Sequence, residues 1–203
     1  INPPVDIKRF KFNNTRGNFY LSVNRLVPNK RIDILVSAFN KLHLPLIIIG
    51  DGPEKFKLKK MANSNITFIE NSSNSDIEEY MSRCRAFVYA GIEDFGIAPL
   101  EAMASGAPVI GLGRGGLLDT VRCLTNPIKN QMPTGILFKQ QTVKDLEDTI
   151  YWFEEKKIWR RFNSQDLNQY THKFSTENFK DNFKNCIERT WDKFNKNKTL
   201  NNN

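Results

Sequence analysis

A four-residue run, Leu46-Ile47-Ile48-Ile49, in which every side chain is apolar, constrains this chain more than any other feature. Successive strand residues face opposite ways, so such a run needs cover on both sides, as in a parallel sheet with helices above and below. Pro45 precedes it and Gly50-Asp51-Gly52-Pro53 follows, which holds it to the length of a strand. Comparable short runs recur at 18–23, 66–69, 86–89, 108–111 and 135–138. Between them lie helix-period segments: 30–42, where Ile34, Leu35, Ala38, Phe39 and Leu42 share a face, then 54–62, 75–83, 98–105 and 117–122. Short connections between alternating strands and helices predict the α/β class, a Rossmann-like doubly wound parallel sheet with right-handed crossovers. Extra C-terminal helices are expected at 143–156, 158–170 and 176–194. The Pro-Pro opening makes 1–17 an expected interdomain linker and domain entry, 18–175 the domain, and the polar tail 196–203 disordered.

Composition bears on the partner. The formal net charge is +8, and residues 1–60 carry twelve basic against four acidic residues, whereas 61–138 are net acidic. Taken alone, this supports a non-enzymatic basic module that binds nucleic acid or an anionic membrane surface. The basic residues are interleaved with apolar ones and form no long run, which equally describes a solvated helix face, so nucleic acid is not the favoured partner. Cys84, Cys123 and Cys186 are far apart with no C-x-x-C spacing, as expected of reduced thiols in a cytoplasmic protein. The longest apolar stretch, 44–49, falls far short of the roughly 20 residues that cross a bilayer.

An open α/β sheet binds its ligand in the crevice beyond the carboxyl ends of its strands. The loop after the first strand carries Arg25 and Lys30, two cations suited to a diphosphate; they would equally suit a basic surface turn. The loop after the fourth strand reads GIEDFGIAPLEAMASG. Pro99 favours the first turn of a helix, so Gly96 to Ala98 should offer free N–H groups to an anion. Glu93 before that helix and Glu101 in its expected first turn are placed to approach one ligand, although a carboxylate at a helix start also answers to the dipole alone. The glycines at 111–116 fit a ligand-cradling loop or simple turning. No hydrolytic triad, Walker loop, H-E-x-x-H or carboxylate cluster with metal spacing appears, and the G-x-G-x-x-G of a nicotinamide-binding fold is absent after the first strand.

Together SVNRLVPNKRIDILVSAF, LIIIGDGPE and Glu93-Asp-Phe-Gly-Ile-Ala-Pro-Leu-Glu101, followed by AMASGAPVI, resemble the nucleotide-sugar-binding half of retaining glycosyltransferase family 4, the GT-B enzymes. Within it, R-L-V-P-x-K-R-I-D, E-D-F-G-I and G-R-G-G are similar to bacterial mannosyltransferases of cell-surface polysaccharide or lipopolysaccharide assembly. The resemblance implies transfer of a hexosyl group, mannosyl from GDP-mannose in first place, to an acceptor hydroxyl with retention of configuration. It assigns Arg25 and Lys30 to the diphosphate, Glu101 to the ribose and Glu93 to the donor sugar, with Arg25, Lys30 and Glu93 forming the catalytic set. Backbone groups of Phe95, Gly96 and Ile97 would line the donor pocket. No cofactor and no metal are implied, and the lack of a D-x-D motif agrees. An acceptor-binding domain is expected outside this sequence, with 176–195 crossing to it and the isolated chain inactive. A lipid-linked saccharide acceptor would place the protein in the cytoplasm, peripheral at the inner membrane face. The sequence departs from the family in the loop Glu70-Asn71-Ser72-Ser73, which lacks the usual glycine, and at Asn24, where many members carry one.

Overall fold

The computed structural model describes residues 1–129 and 131–200, apart from the side chains of 196–200. Its centre is a six-stranded, all-parallel sheet of β1 (Tyr20–Val23), β2 (Leu46–Ile49), β3 (Ile66–Ile69), β4 (Ala86–Tyr89), β5 (Val109–Leu112) and β6 (Gly135–Phe138). The order is β3-β2-β1-β4-β5-β6, the doubly wound arrangement of dinucleotide-binding folds.

Alternation along the strands feeds two cores. Tyr20, Leu46, Ile48, Val88 and Ile110 face α1 (Ile32–Leu42), α2 (Lys55–Met61) and α6 (Val143–Glu155) through Phe39, Leu58 and Phe153. Leu21, Phe87, Tyr89 and Val109 face α3 (Asn74–Arg83), α4 (Ile97–Ala104) and α7 (Ser164–Thr171) through Met81, Leu100, Met103 and Leu167. Both faces of the sheet are therefore covered, as the Leu46–Ile49 run requires. A four-residue helix, α5 (Leu117–Thr120), is shorter than the expected 117–122 because Val121 is already extended.

Three further helices depart from the expected bounds by more than one residue. The helix expected at 30–42 starts at Ile32: Pro28–Lys30 form a 3₁₀ turn, and Arg31 takes left-handed backbone at φ 51°. The single helix expected at 158–170 is instead a 3₁₀ turn, Ile158–Arg161, and then α7. The Asn163 side chain caps α7 by accepting from the N–H groups of Gln165 and Asp166. The last helix, α8, runs Thr176–Leu200, past the expected end at Phe194 and into the tail; 201–203 lie outside the described residues.

Residues 1–17 are no free linker. Val5, Ile7 and Phe10 are buried in the second core, and the Val5 N–H donates to Phe174 O at 2.9 Å. Arg16 reaches beneath the sheet, where its guanidinium donates to the carbonyls of Met81, Ser82, Cys84 and Ser105 and to Ser164 Oγ. By contrast α8 leaves Phe183, Ile187, Trp191 and Phe194 at least half exposed along one side.

Candidate functional site

Strand order reverses between β1 and β4, which pair directly, so the crevice opens where the loops after those strands meet. A cleft of about 430 Å³ lies there, walled by Val23, Asn24, Arg25 and Lys30 on one side and by Tyr89 and Glu93–Pro99 on the other. The structure thus brings Arg25, Lys30, Glu93, Phe95, Gly96 and Ile97 together. Arg25 is exposed and also lines a neighbouring hollow of about 480 Å³ with Ile49, Gly50, Asn71, Ser72 and Ile77.

The two cations differ in state. Lys30 Nζ is ion-paired with Glu93 Oε1, which also accepts from the Tyr89 hydroxyl. The Arg25 guanidinium has no carboxylate or hydrogen-bond partner among the described residues, although the Arg25 carbonyl accepts from Val27 N–H at 2.9 Å. On the other wall, Gly96 at φ 90° leads into α4, and the N–H groups of Gly96, Ile97 and Ala98 have no backbone acceptor among the described residues. This end of α4 carries partial positive charge, so with Arg25 it forms an anion-attracting mouth.

Glycines hold both walls by close approach. A Cβ on Gly50 would lie 1.8 Å from Asn24 O, and one on Gly52 2.4 Å from Leu26 O, so this turn must pack its backbone on the Arg25 loop. In the 111–116 loop the Gly116 N–H donates to Glu93 O at 2.7 Å, and a Cβ there would meet Phe95 Cα at 2.3 Å. Of the two readings open for that loop, its contacts are those of a turn that fixes the Glu93 segment.

Glu101 is placed differently from the sequence expectation. It is the fifth residue of α4, beyond the first turn, and it does not wall the cleft. Its half-buried carboxyl has no hydrogen bond among the described residues. Burial pushes it above the ordinary glutamate range, against the pull of Arg9. The loop after β3, where the sequence lacks the usual glycine, meets the conformational need with Asn71 at φ 52°. There Glu70 binds Lys55 and Lys59, each at 2.6 Å, and the buried Ser72 Oγ has no partner among the described residues.

The sequence profile of the glycosyl transferases group 1 matches residues 5–174. The chain belongs to this family. An uncharacterised glycosyltransferase of Methanocaldococcus jannaschii is 28% identical over 175 residues, covering 84% of this chain and 48% of that protein. A GDP-mannose-dependent alpha-mannosyltransferase of Corynebacterium glutamicum is 33% identical over 100 residues, covering 49% of this chain and 24% of its own length. Among solved structures, Anabaena HepE in complex with UDP and glucose superposes with a TM-score of 0.73 at 18% identity, over 91% of this chain and 55% of that one. This group 1 glycosyltransferase chain therefore spans about half, or less, of the relatives it matches.

Within the family frame the basic N-terminal third has a structural explanation. Lys8, Arg9, Lys30, Arg31, Lys41, Lys55, Lys57 and Lys59 all pair with carboxylates. Arg16 is engaged by carbonyls. These pairings tie much of the basic third to carboxylates of the fold, and Lys11, Arg25 and Lys60 have no ion pair among the described residues. Among the described residues no group of His, Cys, Asp or Glu converges as a metal site, and no helix is long and apolar enough to cross a membrane.

One pH dependence follows from Glu101. A carboxyl whose pKa is higher folded than unfolded binds its proton more tightly in the native state, so stability falls as pH rises through and above the ordinary glutamate range. Glu101→Gln is expected to raise the midpoint of thermal unfolding at pH 7, by less than about 1 kcal/mol because the half-exposed group is screened. The gap should close toward pH 4. A gap that widens in acid would contradict the burial-driven shift.

Proposed function

We propose that this chain is the donor-binding half of a retaining glycosyltransferase. It would move a hexosyl group from a nucleotide sugar, GDP-mannose in first place, to a saccharide or lipid-linked saccharide hydroxyl in cell-surface polysaccharide or lipopolysaccharide assembly. The observation that carries the reading is that one cleft is lined both by the Arg25 guanidinium, unpartnered among the described residues, and by the start of α4, whose first N–H groups lack backbone acceptors there. As the glycosidic bond breaks, negative charge accumulates on the departing diphosphate. A fixed cation and aligned N–H groups stabilise that charge without reorganising, so the reading calls for no metal.

In this reading the diphosphate lies between Arg25 and α4, the sugar lies toward Glu93, and the base occupies the hollow beside Asn71 and Ser72. Ser72 Oγ, buried without a partner, supports a polar ligand there. The ribose is assigned to Glu101 by the family pattern, and a carboxyl lacking protein donors is open to hydroxyls. Lys30, engaged by Glu93, would act on the diphosphate through the field of the pair. The GDP preference draws on the named dependence of the Corynebacterium relative. The exposed aromatic side of α8 is where an acceptor-binding domain would dock, and the chain alone would be inactive. Peripheral membrane association would come from a lipid-linked acceptor.

Thermal-shift titration with GDP, UDP and ADP sugars tests the donor reading, because a ligand that binds only the folded state raises the midpoint, by about 2.7 kcal/mol of stabilisation at a hundredfold excess over Kd. GDP-mannose is expected to give the largest shift. A larger shift with a UDP sugar would reassign the base, and no shift with any nucleotide sugar would overturn donor binding by this chain.

A further inference from the structure

We propose that Tyr89 is a positioning residue of the donor cleft: its hydroxyl and the Lys30 ammonium together occupy Glu93 Oε1, which leaves Oε2 to receive the sugar. Nothing in the sequence pointed to this tyrosine, which reads as a core strand residue. It is the last residue of β4, 2% exposed, with its ring parallel to Phe87 at 6.5 Å in the second core. It lines the cleft, and its hydroxyl donates to Glu93. Both donors meet the same oxygen of Glu93, and Oε2 has no partner among the described residues. Burial and the neighbouring carboxylate raise the pKa of the Tyr89 hydroxyl far above its ordinary value, so it remains a donor throughout the working range of pH.

The geometry converts a flexible side chain into an oriented acceptor. A Glu on a loop samples several rotamers; one anchored by a tyrosine on a central strand and by a lysine on the opposite wall does not. Gln141 braces the same arrangement from behind: its amide donates to Ala90 O at 2.9 Å, and its oxygen accepts from Arg31 at 3.4 Å, next to Lys30. A rigid Glu93 would favour a hydroxyl-bearing hexose over the bare diphosphate. This inference rests on the donor reading given above.

The test compares the chain with Tyr89→Phe, which keeps the buried ring. The expected result is that GDP binds both proteins equally, whereas the affinity for GDP-mannose falls about tenfold, the value of one charge-assisted hydrogen bond. Equal loss of both ligands, or no loss of either, would overturn the positioning role. An independent readout is the ¹³C resonance of the Glu93 carboxyl, assigned through Glu93→Gln. It should move in Tyr89→Phe without any ligand, and an unmoved resonance would overturn the pairing. If the wild-type chain binds no nucleotide sugar, the donor reading fails, while the carboxyl resonance still decides whether Tyr89 holds Glu93. Should Tyr89→Phe fail to fold, the same resonance is followed in Lys30→Met, where a Glu93 still tied to Tyr89 shifts only in part and a released one takes the free-glutamate position.

Discussion

Replacing Arg16 by methionine is expected to destabilise this chain by about 2–4 kcal/mol, the scale for losing several hydrogen bonds from one charged donor and leaving part-buried carbonyls unsatisfied. The guanidinium donates at 3.0 Å to Ser82 O and at 2.8 Å to Ser105 O, which lie at the carboxyl ends of α3 and α4, and at 3.1 Å to Ser164 Oγ at the start of α7. Helix carboxyl ends carry unsatisfied carbonyls and partial negative charge, so one cation serves both helices. Methionine would fill the space and satisfy none of the acceptors. Gly106 shows how closely the site is built, since a Cβ there would come within 2.4 Å of Arg16 Nη2. For a domain of this size the loss corresponds to roughly 4–16 °C in Tm. Arg16→Lys should lose much of the same stability, because an ammonium cannot reach acceptors spread around a planar fork. A Tm within 2 °C of wild type, roughly the effect of half a kcal/mol or less, would show that the network is not what fastens 1–17 to the body.

Arg25→Ala is expected to weaken binding of a nucleoside diphosphate by about 1.5–3 kcal/mol, or roughly 10- to 150-fold, with Tm in the absence of ligand unchanged. The two halves of that expectation share one cause. Arg25 is exposed and its side chain makes no hydrogen bond or ion pair among the described residues, so its contribution would be made to the ligand. Lys30→Ala should differ in kind, since it leaves Glu93 without its cation and therefore disturbs the protein before any ligand arrives. Isothermal titration with GDP separates the two variants, and an Arg25→Ala protein that binds GDP with wild-type affinity would sink the diphosphate assignment.

The strands and most helices were legible because they are local. Leu46–Ile49, Ile66–Ile69, Ala86–Tyr89 and Gly135–Phe138 are bounded by turn residues and stand where their apolar runs stand. The site was legible in part for the same reason: Arg25, Lys30 and the Glu93–Ile97 loop follow strands, and the crevice of such a sheet lies there. The errors fell where local preference yields to a cap or to packing. Arg31 accepts left-handed backbone, Asn163 interrupts a helical pattern to cap the next helix, and the Pro-Pro segment that looks like a linker delivers Val5, Ile7, Phe10 and Arg16 to the body.

By itself the sequence determined the layer architecture and which loops face the crevice, because hydrophobic period and turn chemistry act over a few residues. It also carried the family motifs, whose spacing survives in the chain as written. Only the tertiary structure decided how charges are used. Lys30 and Glu93 stand 63 positions apart, and their pairing, with Tyr89 as second donor, depends on β1 lying beside β4. Arg25, on the same loop as Lys30, has no side-chain partner among the described residues. Side-chain charge is written in sequence, but its partner is set by which strands are neighbours, since ionic and hydrogen-bonding contacts act over a few ångströms of space whatever the separation along the chain.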